Sequence, residues 1–307
     1  MFAIRQVQSL QAAGIVTREF SLESRGSLTG LLRQRQVFRR VIADFCPHVV
    51  HAHYGSSLGL FTVLCSPVPT VVTFRGSDLN GCASVSWLRS ALSRFMSQVT
   101  ALRADSVICV SPGLRSRLWQ SRYVRVIPTG IDLHLFHPLP QDLARAQLGW
   151  SKNEKVVLFN ATTEPVHKGL PLAYAAVRHA ESLCGPIRFV VLNGTLAAEG
   201  VCLRMNAADC LLLASKSEGS PNIVKEALAC NLPVVSLDVG DVRDLLAGVT
   251  FSSVVPRSVA RMGEALAAVM RAPGRSNGRQ AVANLSVEVI CERIISVYQQ
   301  SISDSPR

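Results

Sequence analysis

The stretch from Asp209 to Asn231, D-C-L-L-L-A-S-K-S-E-G-S-P-N-I-V-K-E-A-L-A-C-N, leaves few options for the chain that contains it. Asp209–Ala214 is a short apolar run of the kind that forms a strand buried on both faces of a parallel sheet. Pro221 suits the first position of a helix, with Ser220 as its N-cap. Ile223, Ala227 and Leu228 share one face of a helix running from Asn222 to Cys230, which Asn231 is expected to cap. The N–H groups that open such a helix lack partners within it and make an anion site suited to a phosphate. Glu218 stands in the loop before that site, and Glu226 lies about two turns on. A carboxylate within reach of the site can accept hydrogen bonds from sugar or ribose hydroxyls. Strand, loop and helix together describe a holder for a nucleotide sugar.

A chain of 307 residues can bury a sizeable core and is expected to form about two domains. No apolar run reaches the ~18 residues of a membrane span, and M-F-A-I-R-Q-V-Q lacks the regions of a signal peptide. Nine cysteines are scattered without C-x-x-C or a Cys/His cluster, so neither zinc nor a disulfide framework is indicated. Cys109 and Cys210, set in apolar runs, read as small buried hydrophobes. There is no D-x-D pair, P-loop or G-x-G-x-x-G and no convincing metal constellation; no metal or cofactor is expected. The cytoplasm is the expected compartment.

Charge is unevenly spread. Through Pro138 there are 15 arginines, no lysine and 6 acidic residues; beyond it, 17 basic residues face 15 acidic ones. A basic half points to an anionic partner: a lipid surface, a phosphorylated substrate or nucleic acid. Exclusive use of arginine fits forked phosphate contacts and fits a GC-rich genome equally. Nucleic acid is set aside, because no recognised motif is present and aromatic residues make up only 6% of the chain. Over 31–45, Leu31, Val37, Phe38, Val41, Ile42 and Phe45 share one broad helical face. Arg33 and Arg40 lie opposite, with Arg35 and Arg39 flanking. Two readings stand: a core-packed helix with a solvated basic face, or a patch for acidic headgroups at the inner membrane face.

In chain order, Phe2–Ala13 reads as a helix ended at Gly14, and Ile15–Leu22 as a strand. His48–Tyr54 and Val68–Phe74 are strands that empty into loops, where open α/β sheets place ligands. Those loops carry His51, His53, Arg75, Gly76, Ser77 and Asp78, one wall of a cleft. His51 reads as a satisfied core residue; for His53, nearer the strand end, core and site readings are both open. Leu88–Arg103 is a helix, Asp105–Val110 a strand, Ser111 the cap of the next helix, and Val124–Pro128 a strand. The second half repeats the alternation: strands Lys155–Asn160, Ile187–Leu192 and Pro233–Leu237, and helices from about Leu170 to Ser182, Arg257–Arg271 and Ser286–Gln300. The implied class is α/β, with two doubly wound domains facing a central cleft. The expected division is 1–138, 139–285, and a last segment, 286–307, carrying the final helix and a disordered tail.

The segment E-G-S-P-N-x-x-x-E, preceded by A-A-D-C-L-L-L-A-S and followed by N-L-P-V-V-S-L-D-V-G-D, resembles the retaining glycosyltransferases of family 4, which have the GT-B fold. H-Y-G at His53, T-F-R-G-S-D at Thr73, A-D-x-x-x-x-x-S ending at Ser111, and T-G-I-D-L-H-L-F-H-P before the boundary are similar to further motifs of that family. The resemblance implies metal-independent transfer of a hexosyl group, with retention, from a UDP- or GDP-linked sugar to a lipid-linked or polysaccharide acceptor of the cell envelope. It implies that Glu226 binds the ribose and Glu218 the donor sugar. Lys168, Gly240 and the backbone of Gly219, Ser220, Pro221, Asn222, Ile223 and Val224 would hold the nucleotide diphosphate. The acceptor would lie near His53 and Arg75, with Gly76, Ser77 and Asp78, and the last helix would pack back on the first domain.

The sequence departs from the family pattern in three places. Many relatives have histidine where Arg75 stands, so that histidine's role does not transfer. Thr162 or Thr163 occupies the usual place of a diphosphate-binding arginine. The family's first strand and glycine-rich loop are not found ahead of Phe2, which leaves open a start codon placed too late or a truncated chain. An impaired relative that only binds nucleotide sugar is the alternative reading.

Overall fold

The computed structural model describes residues 2–22, 28–81, 86–120, 124–162, 164–272 and 274–304. The chain divides into two compact units, one of Met1–Gly130 with Val287–Arg307 and one of Ile131–Ser286.

The first unit contains α1 (Phe2–Ala12), α2 (Leu28–Phe45), β1 (Val50–His53), α3 (Ser57–Cys65), β2 (Thr70–Phe74), α4 (Ser77–Asn80), α5 (Trp87–Arg103), β3 (Ser106–Cys109), α6 (Pro112–Arg115) and β4 (Val124–Val126). Its four strands are parallel in the order β1-β2-β3-β4, with Ala52 opposite Val72 and Thr73 opposite Ile108. β2 (T-V-V-T-F) and β3 (S-V-I-C) are buried along their whole length, with only the small polar side chains of Thr70, Thr73 and Ser106 among their apolar residues. Alternation along the strands sends Ala52, Val72, Phe74, Val107 and Cys109 to one core cluster, joined by Val63 of α3 and Ala101 of α5.

Ile15–Leu22 forms no strand, contrary to the sequence expectation. A strand exists only through its ladder, and this stretch meets none. It runs along one wall of a cavity of about 740 Å³ whose other walls include Val50–His53 of β1 and Val41, Ile42 and Phe45 of α2. Phe20 and Leu22 turn instead into an aromatic cluster with Phe38 and Phe61. On α2, Phe38 and Ile42 are buried as expected, but Val37 is exposed, because the contact with α3 takes up a narrower face than the wheel allowed.

The second unit contains α7 (Gln141–Leu148), β5 (Val156–Asn160), α8 (Pro165–Lys168), α9 (Leu170–Cys184), β6 (Arg188–Leu192), α10 (Ala198–Ala207), β7 (Cys210–Leu213), α11 (Asn222–Ala229), β8 (Val234–Leu237), α12 (Val242–Leu245), β9 (Ser253–Val255), α13 (Val259–Arg271) and α14 (Gly278–Ala281). Five parallel strands lie in the order β6-β5-β7-β8-β9, so the chain steps out from β5 to β6, returns past it to β7 and continues outward. α9 and α13 pack together over one face with Ala173, Ala176, Val177, Met262 and Leu266 in the core. Gly263 stands so close to Ala176 and His179 that a Cβ there would meet the Ala176 carbonyl at 2.9 Å. The last helix, α15 (Val287–Ser303), belongs to the first unit, where it packs on α1 and β2. Cys109 and Cys210 are fully buried, and burial pushes each thiol up to about 12.

Candidate functional site

In the second unit, β7 ends at Leu213 and the chain runs through Ala214 and Ser215 to the N-terminus of α11. Pro221, not Ser220, is the residue before that helix, and Ser220 does not cap it. Its hydroxyl donates to Oδ2 of Asp241 at 2.6 Å, a charge-assisted bond that outcompetes a backbone cap. At the other end Cys230 is the cap and Asn231 follows it at φ +55°, the left-handed turn that asparagine tolerates. Lys225 is fully buried and its Nζ donates to Ser220 Oγ at 3.1 Å, so lysine, serine and aspartate form one chain beneath the loop. Burial raises the Asp241 carboxyl, opposed by the Ser220 hydrogen bond and the Lys225 charge.

Lys168 and Glu218 meet above that chain. Lys168 Nζ donates to Glu218 Oε1 at 2.7 Å, and Ser215 Oγ donates to the same oxygen at 2.7 Å. Both side chains keep less than a fifth of their surface exposed. Lys168 is delivered by the turn at Gly169, φ +78°, where an added Cβ would lie 2.1 Å from the Ala214 carbonyl oxygen. Only glycine allows the two loops to approach this closely. Gly240, φ +63°, is packed the same way, with its Cβ position 2.7 Å from the Gly219 oxygen. Arg257 holds the loop from behind, donating to the Ser215 carbonyl at 2.8 Å. Glu226 sits half-buried on α11. The buried Oδ1 atoms of Asn222 and Asp241 have no hydrogen-bond partner among the described residues. Thr162 follows β5 with φ +45°; Thr163 lies outside the described residues.

In the first unit, His53 and Arg75 come together at the ends of β1 and β2. Arg75 Nη2 donates to His53 Nδ1 and to Gln6 Oε1, both at 3.0 Å, and Nη1 donates to Thr129 Oγ1 at 3.2 Å. Burial, then the Arg75 charge, pushes His53 down to about 3, so the ring is neutral near pH 7. With Nδ1 accepting from Arg75, its proton resides on Nε2. Burial lowers Arg75 to about 10, which leaves it charged. Asp78 is buried and turned inward: its carboxylate accepts from the N–H groups of Gly55 at 3.1 Å, Gly76 at 2.9 Å and Arg75. It clamps both loops together, while Ser77 is left exposed. His51 is bound on both sides, by Tyr298 Oη at 2.6 Å and Thr73 Oγ1 at 2.7 Å. It is the satisfied core histidine that its place in the strand suggests.

The family model described as Glycosyltransferase Family 4 matches residues 5–135, and the one described as Glycosyl transferases group 1 matches 155–272. Together they take in most of the chain.

This chain belongs to the family 4 glycosyltransferases.

It is 27% identical over 270 residues to a protein of Bacillus subtilis (strain 168) named as the teichuronic acid biosynthesis glycosyltransferase TuaC, covering 78% of this chain and 68% of that one. It is also 27% identical over 216 residues to the D-inositol 3-phosphate glycosyltransferase of Segniliparus rotundus, with 58% of this chain covered; the match spans 47% of that relative's length. Among solved structures, sucrose-phosphate synthase from Thermosynechococcus elongatus is similar with a TM-score of 0.78 at 19% identity, over 99% of this chain and 93% of that one. Anabaena HepE, solved in complex with UDP, is similar with a TM-score of 0.70 at 16% identity, over 96% and 89%. The fold is therefore GT-B, with two Rossmann-like α/β units.

Within this glycosyltransferase, the second unit brings Lys168 to Glu218, and Ser220 and Gly240 to the same loop. The sequence reading missed Lys225, Asp241, Ser215 and Arg257. Lys225 carried a signal: a lysine in a helix whose neighbours Ile223, Val224, Ala227, Leu228 and Ala229 are all apolar has little choice but to be buried and bonded. Asp241 and Arg257 carried none, because their partners are 21 and more than 40 residues away.

Proposed function

We propose that this chain transfers a glycosyl group from a nucleotide diphosphate sugar, UDP- or GDP-linked, to a lipid-linked or polysaccharide acceptor, with retention and without a metal. The observation that carries this reading is the Lys168–Glu218 pair beside the N-terminus of α11, over two buried, unpartnered acceptor atoms, Asn222 Oδ1 and Asp241 Oδ1. A lysine beside helix N–H groups suits a diphosphate, and unpartnered acceptors suit a ligand rich in hydroxyls. HepE, of the same fold, was solved with UDP and with UDP-glucose.

In this reading Glu226 accepts hydrogen bonds from the ribose and Glu218 from the donor sugar. The diphosphate rests on Lys168 and the backbone from Gly219 to Val224, with Gly240 allowing close approach. As the donor bond breaks, negative charge grows on the leaving phosphate, and Lys168 and the helix N-terminus stabilise it there. Diphosphate binding also draws Lys168 away from Glu218, freeing that carboxylate for the sugar. On the acceptor side, His53 serves as a neutral hydrogen-bond donor through Nε2 and Arg75 as the fixed positive charge; Asp78 positions Gly76 and Ser77. A neutral imidazole held so far below its usual range is a poor base, and no protein nucleophile is assigned. Exposed Arg33, Arg35, Arg39 and Arg40 on α2 offer a cationic surface to an anionic membrane that carries a lipid-linked acceptor.

Thermal unfolding with UDP and with GDP tests the reading. One nucleotide should raise the melting temperature of the wild type, and Glu226→Ala should remove the shift. A protein that melts cooperatively but responds to neither nucleotide would overturn the donor site, and with it both the transferase and the relative that only binds nucleotide sugar; binding of a nucleotide with no transfer to any acceptor would favour the impaired relative.

A further inference from the structure

α5 is inverted relative to an ordinary surface helix. Its buried residues are polar: Ser97, Gln98 and Thr100. Ser97 Oγ donates to the Asp78 carbonyl at 3.0 Å; Gln98 Nε2 donates to the Arg117 carbonyl, and its Oε1 accepts from the Trp119 N–H, both at 2.9 Å. These bonds fix the rotation of the helix and turn its apolar stripe to solvent. Leu88, Leu92, Phe95 and Leu102, at helical spacing, are between 49% and 62% exposed, and Trp87 at the helix start is 75% exposed. Trp119 stands against Phe95 at 6.0 Å and extends the stripe. A contiguous apolar strip of this kind marks a docking surface.

The charge around it selects the occupant. α3 packs against both α2 and α5, so the three helices form one outer layer of the first unit. That layer carries seven arginines (33, 35, 39 and 40 on α2; 89, 94 and 103 on α5) and a single acid, Asp44. A second copy docking here about a two-fold axis would bring arginines against arginines. A bilayer with acidic headgroups would meet arginines with phosphates, leucine and phenylalanine with acyl chains, and Trp87 with the interface that tryptophan prefers. No helix among the described residues is long and apolar enough to cross a membrane, which fits a helix lying in the interface.

We infer that α5 is a membrane-insertion element, its Leu88–Leu92–Phe95–Trp87 stripe entering the headgroup boundary of an anionic bilayer. This extends the basic-surface part of the proposed function and does not depend on the donor site.

The test is co-sedimentation of the full chain with phosphatidylcholine vesicles, with and without phosphatidylglycerol, read beside tryptophan emission. Binding should strengthen about tenfold or more with the acidic lipid and shift the emission to the blue. The double variant Leu92→Gln/Phe95→Gln, altered only at exposed positions, should lose about tenfold in binding while keeping its melting temperature and its response to nucleotide. A wild type that stays in the supernatant overturns the inference, as does a variant that pellets equally well. So does a wild-type dimer that the double variant converts to monomer, which would give the stripe to a second copy. If nucleotide binding fails while the vesicle result holds, the donor reading falls alone.

Discussion

His53 shows what a neighbour does to a single side chain. An imidazole near its ordinary 6.5 would titrate in the working range, but this one is held at about 3 by burial and by Arg75. The unfolded chain therefore binds a proton on this ring at pH values where the folded chain does not. Stability is present in full above about 6.5 and is lost as pH falls from there toward about 3; His51, lowered for the same reasons, adds in the same direction. The loss is at most about 1.4 kcal/mol per pH unit for each ring. His53→Gln should flatten that slope in urea titrations between pH 7 and 5. An unchanged slope would mean that the ring is accessible enough to protonate in place.

At the scale of elements, two loops are bound by glycines whose roles differ only in what surrounds them. Gly169 and Gly149 have similar left-handed φ angles, +78° and +66°, yet the first faces the Ala214 carbonyl and the second faces open space. Gly149→Ala should cost only the backbone term, about 1 kcal/mol. Gly169→Ala adds a clash with main chain that cannot move without shifting β7, for a total of roughly 2–5 kcal/mol. Chemical denaturation of the two variants separates these terms; equal losses would mean that the α8–α9 turn relaxes freely. K-G in the loop was legible in the sequence, but the reason for the glycine was not, since Ala214 lies 45 residues further on. Ser220 was misread for a related reason. As a cap it obeys a local rule, and what defeats that rule is a carboxylate that only the fold brings to it.

For the whole molecule, the most distant dependence is that of the first unit on the last helix. α15 buries Ile290, Ile294, Val297 and Tyr298, and its Ser301 Oγ donates to Ser106 Oγ at 2.7 Å. At about 1.5–3 kcal/mol for each buried large apolar side chain, the contribution rivals the net stability of a domain. A chain ended at Ser286 should lose the cooperative unfolding of residues 2–130 and become protease-sensitive there, while cleavage within 131–286 stays slow. Retained protection of both segments would show the helix to be dispensable.

What the sequence determined by itself was whatever depends on near neighbours. Apolar runs placed β2, β3, β5, β7 and β8 to within a residue or two, because a strand buried on both faces of a parallel sheet is mostly apolar. The E-G-S-P-N-x-x-x-E segment, with its flanking strands, pointed to the family. Only the tertiary structure decided the rest: that Ile15–Leu22 finds no strand to pair with, that Lys168 is tied to Glu218, and that Asp78 accepts from the distant Gly55 N–H. It also decided that α5 turns its leucines outward. Each of these is settled by a group tens of residues away or by the direction in which a helix is rotated. Local sequence rules carry no term for either.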